Sequence, residues 1–465
     1  MNRIMASFRP SLAALAMLLS LCIAACSEAE RPPNIVLVTV DTLRADRLGC
    51  YGCPVRTSPA VDTLAAQGAL FESCIAQASS TAPALASVMT SRYPSEVGVF
   101  NNTQPLIEAP DTIAAFLERR GYECAAFVSN FNLRPRMGFD RGFDLFDAQM
   151  TERELNRSGL PERTAEKTSD AAIDWLEGRR QKSEPYFLWI HYQDPHGPYT
   201  PPDGFAPDIE NYQAGSRVLP LLETNWGAGG IPRYQILPGA RDSARYRACY
   251  DGEILFFDAH LGRLIRALLK EDGLRNTAIL FTADHGESMG EHGYWFSHEQ
   301  DLFNELIHVP LIVAAGQTAG RRSDRACHLD IFPTIAALVD GDRFDPSEYR
   351  GRDLFDGDSI RSARPIFSET NFVATRTTFR SVIVGSWKLI VSSHTPESPL
   401  LFDLEKDGAE RSNLARSNPD VAKRMMRILE TEAAKSKPMR GRRAPLKLTP
   451  AEREALESLG YTSGE

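Results

Sequence analysis

From Asn34 onward, β-branched apolar runs alternate with stretches whose apolar residues recur every three or four positions. The runs at 35–40 (IVLVTV), 124–129, 186–192 (YFLWIHY), 277–282 and 310–314 have the length and bulk of strands buried on both faces. Between them, 59–67, 112–120, 163–178 and 244–270 carry a helical period. The first opens on Thr57-Ser58-Pro59 and stops at Gly68, as helices begin and end. This alternation predicts an α/β fold, a large and mostly parallel mixed sheet sandwiched by helices.

Beyond about residue 365 the pattern changes. Short strands are predicted at 379–384, 387–391 and 400–404, the first two hinged at Gly385-Ser386, followed by a helix over 419–435. They form a smaller antiparallel subdomain, and a last short helix is expected at 449–459. Residues 201–240, rich in Pro and Gly, read as a surface excursion near the site.

The amino end differs from the rest. Arg3 and Arg9 precede an apolar stretch over 11–25, too short to span a bilayer comfortably, which reads as an export signal. It ends in Ile23-Ala24-Ala25-Cys26, similar to the bacterial lipobox, in which the cysteine becomes the acylated first residue. The expectation is a chain exported and lipid-anchored to the cell envelope at Cys26, with 27–33 as a tether. Such a compartment permits disulfides, so Cys50, Cys53, Cys74, Cys124, Cys249 and Cys327 are expected as disulfides or small core residues.

A chain of 465 residues, 43% hydrophobic and 24% charged, can bury a large core. Its net charge of −9 leaves no basic footprint, and no zinc-finger or RNA-binding motif appears, which argues against nucleic acid.

Ligands of open parallel sheets bind beyond the carboxyl ends of the strands. Asp41 follows the first strand, Asn130 the second, Asp194 and His196 the third, and Asp284 and His285 the fourth. Any one Asp after a strand is more often a turn or cap. Together, Asp41, Asp284 and His285, with a hydroxyl from Thr81, make a set able to hold a divalent cation. His285 favours manganese or zinc, with calcium possible. Asp194 with His196 is a candidate for a second ion, or else an orienting pair.

The stretch Ser79-Ser80-Thr81-Ala82-Pro83 leads into an apolar run, and two readings compete. In one, the hydroxyls cap a helix. In the other, Thr81 is a nucleophile at a helix N-terminus whose free amides would welcome an anion.

Taken in order, NIVLVTVDTLRADRLGCYG (34–52), TAPALASVMTSRYPSEVGV (81–99), FLWIHYQDPHGPYTPP (187–202) and TAILFTADHGESMGEHGYWFSH (277–298) resemble the sulfatase family of the alkaline phosphatase superfamily. HLDIFPTIAALV (328–339) and LFDLEKDGAERSNLA (401–415) extend the resemblance toward the carboxyl end. It implies 34–365 as the catalytic domain and 366–465 as the subdomain, after a signal peptide at 1–25 and a lipidated tether at 26–33. It also implies metal ligands at Asp41, Asp284 and His285, a nucleophile at Thr81, and contacts to the charged oxygens or the leaving group from His196 and His298. Asn130 falls where many sulfatases have Lys, and His292 is as suited to a supporting role as to a direct one. His260, His308, His328 and His394 read as packing or surface residues.

Departures from the family pattern shape the functional expectation. Sulfatases carry Cys or Ser, converted to formylglycine, in a C/S-x-P-x-R motif, whereas this chain reads Thr81-Ala82-Pro83-Ala84-Leu85. The paired Asp-Asp after the first strand is Asp41-Thr42. The sequence therefore predicts a metal-dependent hydrolase of phosphate or sulfate esters with Thr81 as nucleophile, a phosphodiester or phosphomonoester being favoured. The first-turn amides, Asn130 and His196 are expected to stabilise the ester oxygens. The alternatives are a sulfatase without formylglycine, an envelope phosphoglycerol-type transferase acting on a polymer, and a catalytically silent lipoprotein.

Overall fold

The computed structural model describes residues 32–441 and 450, apart from 109, 157–159, 180, 271–272, 317 and 358–363. The leader, Cys26 and the helix expected at 449–459 lie outside the described residues.

Nine strands form the main sheet: β1 (Asn34–Val40), β2 (Ala69–Ile75), β3 (Glu123–Val128), β4 (Leu145–Asp147), β5 (Tyr186–Tyr192), β6 (Thr277–Ala283), β7 (His308–Ala314), β8 (Gly320–Arg322) and β9 (Ala326–Cys327). Their order is β8-β2-β7-β6-β1-β5-β3-β4, with β9 also on β2. β6, β1, β5, β3 and β4 run parallel, while β7 is antiparallel to both β6 and β2. Every residue of β5 and β6 is buried, the pattern of strands covered on both faces.

The longer helices packed about this sheet are α1 (Pro59–Gln67), α2 (Thr81–Thr90), α3 (Ile113–Glu118), α4 (Ala165–Gly178), α5 (Ser243–Leu268) and α6 (Ile331–Asp340). α1 and α4 pack on α5, and α3 and α6 pack on α2. Local signals place several ends: Thr112 accepts from the Ala115 amide at 3.2 Å before α3, and Asp242 from the Ala244 amide at 2.9 Å before α5. At α1 a distant residue substitutes, since Asp258 of α5 receives the Ala60 and Val61 amides at 2.8 and 2.9 Å. α2 is buried along its whole length.

The smaller antiparallel sheet runs β10 (Ile366–Phe372), β11 (Thr377–Val384), β12 (Trp387–Ser392) and β13 (Leu400–Asp403) in consecutive order, with α7 (Pro419–Lys435) against β11 and β12. Val382, Leu389, Leu401 and Met425 join the core of the main sheet. All six cysteines of the described chain are free thiols, so the disulfide alternative is corrected. Cys74, Cys124, Cys249 and Cys327 are buried as small core residues.

Candidate active site

Four neighbouring parallel strands, β6, β1, β5 and β3, end at one rim. Backbone bonds fix the residues just beyond those ends. The Asp41 amide donates to Tyr192 O at 2.9 Å, Asp284 to Val40 O at 3.1 Å and Ser129 to His191 O at 3.1 Å. Asp41, Asp284 and His285 are thereby brought together with no exposure at all.

Three atoms of this cluster have no hydrogen-bond partner: Asp41 Oδ1, Asp284 Oδ2 and His285 Nε2. His285 Nε2 lies 3.7 Å from that Asp41 oxygen and 3.6 Å from that Asp284 oxygen. The remaining atoms are occupied. Asp41 Oδ2 accepts from Asn130 Nδ2, and Asp284 Oδ1 accepts the amides of Thr42 and His285 at 3.1 and 2.7 Å. His285 Nδ1 lies 2.9 Å from Gly286 O. A carbonyl can only accept, so Nδ1 carries the ring proton and Nε2 presents its lone pair.

Burial, then the charge of Asp284, lifts the Asp41 carboxyl well above its usual range, and burial raises Asp284 to about 7. Burial, with His298 beside it, lowers His285 to about 4. Two carboxylates and a neutral imidazole, each with a bare donor atom in a dry pocket, fit a divalent cation. Ligand-to-ligand edges around zinc are about 3–3.5 Å, near the distances here.

Thr81 follows the Ser80 N-cap of α2, is 1% exposed, and its side chain lies beside the Asp284 carboxylate. Capping by these hydroxyls is not what the structure shows. Ser80 makes no side-chain cap, and Ser79 Oγ donates to Asp301 O at 2.9 Å. The expectation that amides after Thr81 greet an anion is likewise corrected. The Ala82 amide donates to Asn102 Oδ1 at 2.8 Å, Pro83 has no N–H, and the Ala84 amide is bonded to Ser80 O at 3.1 Å.

Thr81, His196 and His298 line one pocket, closed by Asn102, Asn132, Asn225, Trp226, Tyr234, Ser297 and Glu299. Asn225, Trp226 and Tyr234 come from the 201–240 excursion, which folds over the site through a 3.0 Å bond from Tyr234 OH to Phe296 O and a ring contact of Trp226 on Phe372. No lysine or arginine is among these lining residues. Glu287, buried, lies 3.2 Å from Nδ1 of His298 and accepts from Tyr199 OH at 2.9 Å.

Other expectations shift. Asn130 turns its amide to Asp41 rather than to an ester oxygen, and its own carbonyl accepts from the Asn132 amide at 2.7 Å. Asp194 does not pair with His196 for a second ion. Its carboxylate accepts the Ala165 amide at 2.8 Å and meets Glu253, and burial raises it to about 6. His292 is occupied at both nitrogens, by Glu305 at 2.6 Å and Glu410 O at 3.2 Å. His328 packs under the rim, 2.9 Å from Ala283 O, and His260 meets Phe256 edge to face.

Sequence reasoning missed His191, Glu287, Asn102 and Glu299. His191 sits within an apolar strand, where a lone histidine reads as core. Glu287 and Glu299 adjoin residues already singled out, and that adjacency was the available signal.

Comparison with known proteins bears on this geometry. The Sulfatase family model matches residues 33–341. The "Uncharacterized sulfatase YidJ" of Escherichia coli K12 is 26% identical over 427 residues, 82% of this chain and 83% of that protein. The choline-sulfatase of Rhizobium meliloti is 26% identical over 432 residues, 83% of each chain. Among solved structures, the phosphonate monoester hydrolase of Agrobacterium radiobacter superposes with a TM-score of 0.65 at 22% identity, over 87% of this chain and 96% of that one, and shares the fold. With the family model spanning the sheet and the rim that gathers Asp41, Thr81, Asp284 and His285, the chain belongs to the sulfatase family and is an ester hydrolase of alkaline-phosphatase-like fold.

Proposed function

We propose that the chain is a metal-dependent hydrolase of phosphate mono- or diesters with Thr81 as nucleophile. One observation carries this reading: buried Thr81 lies beside Asp284, at the edge of the bare Asp41, Asp284 and His285 atoms. Those three residues would hold the ion with Thr81 beside it, and their mixed oxygen and nitrogen donors suit manganese or zinc better than calcium. A divalent ion bound there acidifies a neighbouring hydroxyl and offsets the charge of the ester.

The side chains account for the remaining steps. Thr81 Oγ1 attacks phosphorus in line and passes its proton to the adjacent Asp284 carboxylate, as the bond from phosphorus to the leaving oxygen breaks. Protonated His298, steadied at Nδ1 by Glu287, gives its proton to the departing alkoxide. His196 and the pocket amides of Asn132 and Asn225 hold the ester oxygens. Water then attacks the Thr81 ester and yields a proton to His298, while the Thr81 oxygen recovers its own from Asp284. An acceptor hydroxyl in place of water would make the same residues a transferase.

Threonine cannot become the aldehyde hydrate on which formylglycine chemistry depends, which supports phosphorus over sulfur. The second reading, sulfate ester hydrolysis by unmodified Thr81, is favoured by the family and by the choline-sulfatase relative. The test measures kcat/KM on 4-nitrophenyl sulfate, 4-nitrophenyl phosphate and bis(4-nitrophenyl) phosphate after chelation and metal replacement. A phosphate ester is expected to be preferred, with a loss of about 10³-fold or more in Thr81→Ala. Full activity of Thr81→Ala removes the nucleophile, and preference for the sulfate installs the second reading. The leader motif supports export and attachment through an acylated Cys26.

A further inference from the structure

We propose that His191 is a further metal ligand, beside Asp41 and Asp284. The inference rests on the metal reading above. His191 lies inside β5, opposite Thr39 of β1, and is wholly buried. Its Nε2 has no hydrogen-bond partner and lies 4.0 Å from Asp41 Oδ2, an oxygen already served by Asn130. Donor atoms of Asp41, His191 and Asp284 all fall within 4.8 Å of one another.

Proton accounting around Thr39 fixes what Nε2 offers. Trp189 Nε1, which can only donate, reaches Thr39 Oγ1 at 3.0 Å. The same oxygen lies 2.9 Å from His191 Nδ1 and 3.4 Å from Ile190 O. With the Thr39 proton on the Ile190 carbonyl, Nδ1–H of His191 donates to the second lone pair of Thr39. Every polar atom is then satisfied except Nε2, which turns a lone pair toward the carboxylates. The opposite tautomer would bury an N–H with no acceptor within hydrogen-bond distance, a costly arrangement. Thr39 and Trp189 are positioning residues in this scheme.

Thr42, where the pattern has its second aspartate, holds a left-handed backbone at φ 53° and gives its amide to Asp284. Adding His191 to Asp41, Asp284 and His285 gives a donor set of two carboxylates and two imidazoles. Such a set balances a divalent ion in charge and disfavours calcium, which takes oxygen ligands.

The experiment loads the full chain with one equivalent of zinc and counts imidazoles by X-ray absorption, without substrate. Two imidazoles are expected for the native protein and one for His191→Gln, with zinc affinity of the variant lowered at least tenfold. One imidazole in the native protein, or unchanged zinc affinity in a folded His191→Gln, overturns the inference and leaves the metal reading standing. A native protein that binds no ion overturns that reading and this inference together. Because the native count needs no substitution, a variant that fails to fold leaves the test decisive.

Discussion

Glu287 Oε1 lies 3.2 Å from Nδ1 of His298, inside a wall where Tyr199 OH holds the other oxygen of the same carboxylate at 2.9 Å. The pair fixes the ring of a histidine that shares its pocket with Thr81. Glu287→Gln keeps the shape and removes the charge that favours the imidazolium. The expected result is a loss of activity on the order of 10²-fold, larger for alkyl esters than for nitrophenyl esters, whose leaving groups need no proton. Rates across a series of leaving groups check it; a uniform loss would assign Glu287 to folding.

Asn130 grips Asp41 Oδ2. Asn130→Ala frees that carboxylate to rotate, and metal affinity is expected to fall 10- to 100-fold, the range typical of outer partners of metal ligands. Competition against a chelator of known affinity measures the change, and KM at saturating metal is expected to move little.

Metal affinity also depends on pH. With burial holding the metal-free Asp284 near 7, its carboxyl is largely protonated below that pH, and an ion must displace its proton; burial shifts Asp41 in the same direction. Affinity is expected to fall as pH drops below about 7, with release of at least one proton per ion at pH 6. Calorimetry in two buffers of different ionisation enthalpy counts the protons. His285, already neutral above about 4, adds nothing in this window.

His292 ties the catalytic rim to the smaller sheet through Glu305 and Glu410 O, and its partners raise it to about 9 against the pull of burial. Because the folded value is the higher one, its contribution is complete below about pH 6.5 and lost as pH rises through 9. His292→Gln is expected to cost about 1–3 kcal/mol in urea unfolding at pH 6 while leaving metal content unchanged.

If Cys26 carries the acyl anchor, Cys26→Ser moves the protein from the membrane fraction to the soluble envelope fraction with its kcat intact. Retention in the membrane fraction would assign attachment elsewhere.

The rim was legible because parallel strands deliver their next residues to one edge, and Asp41, Asp284 and His285 each follow a run readable as a strand. What lay beyond local pattern was not. The amide of Ala82 is taken by Asn102, twenty residues downstream, and no periodicity announces that. β2 escaped notice because Glu72-Ser73 interrupts an otherwise apolar run, and its pairing with β7 supplies the order that sequence lacks. The direction of Asn130 and the bare nitrogen of His191 depend on neighbours across strands.

β1 carries the chain from Asn34 at one pole of the sheet to Asp41 at the other, a traverse of about 23 Å at the usual rise per residue. Pro33 therefore enters the sheet at the pole opposite the pocket mouth. Were the chain anchored through an acylated Cys26, its pocket would look outward from the supporting leaflet, grazing on soluble or polymeric esters from the aqueous side and turning its back on the lipids beneath it.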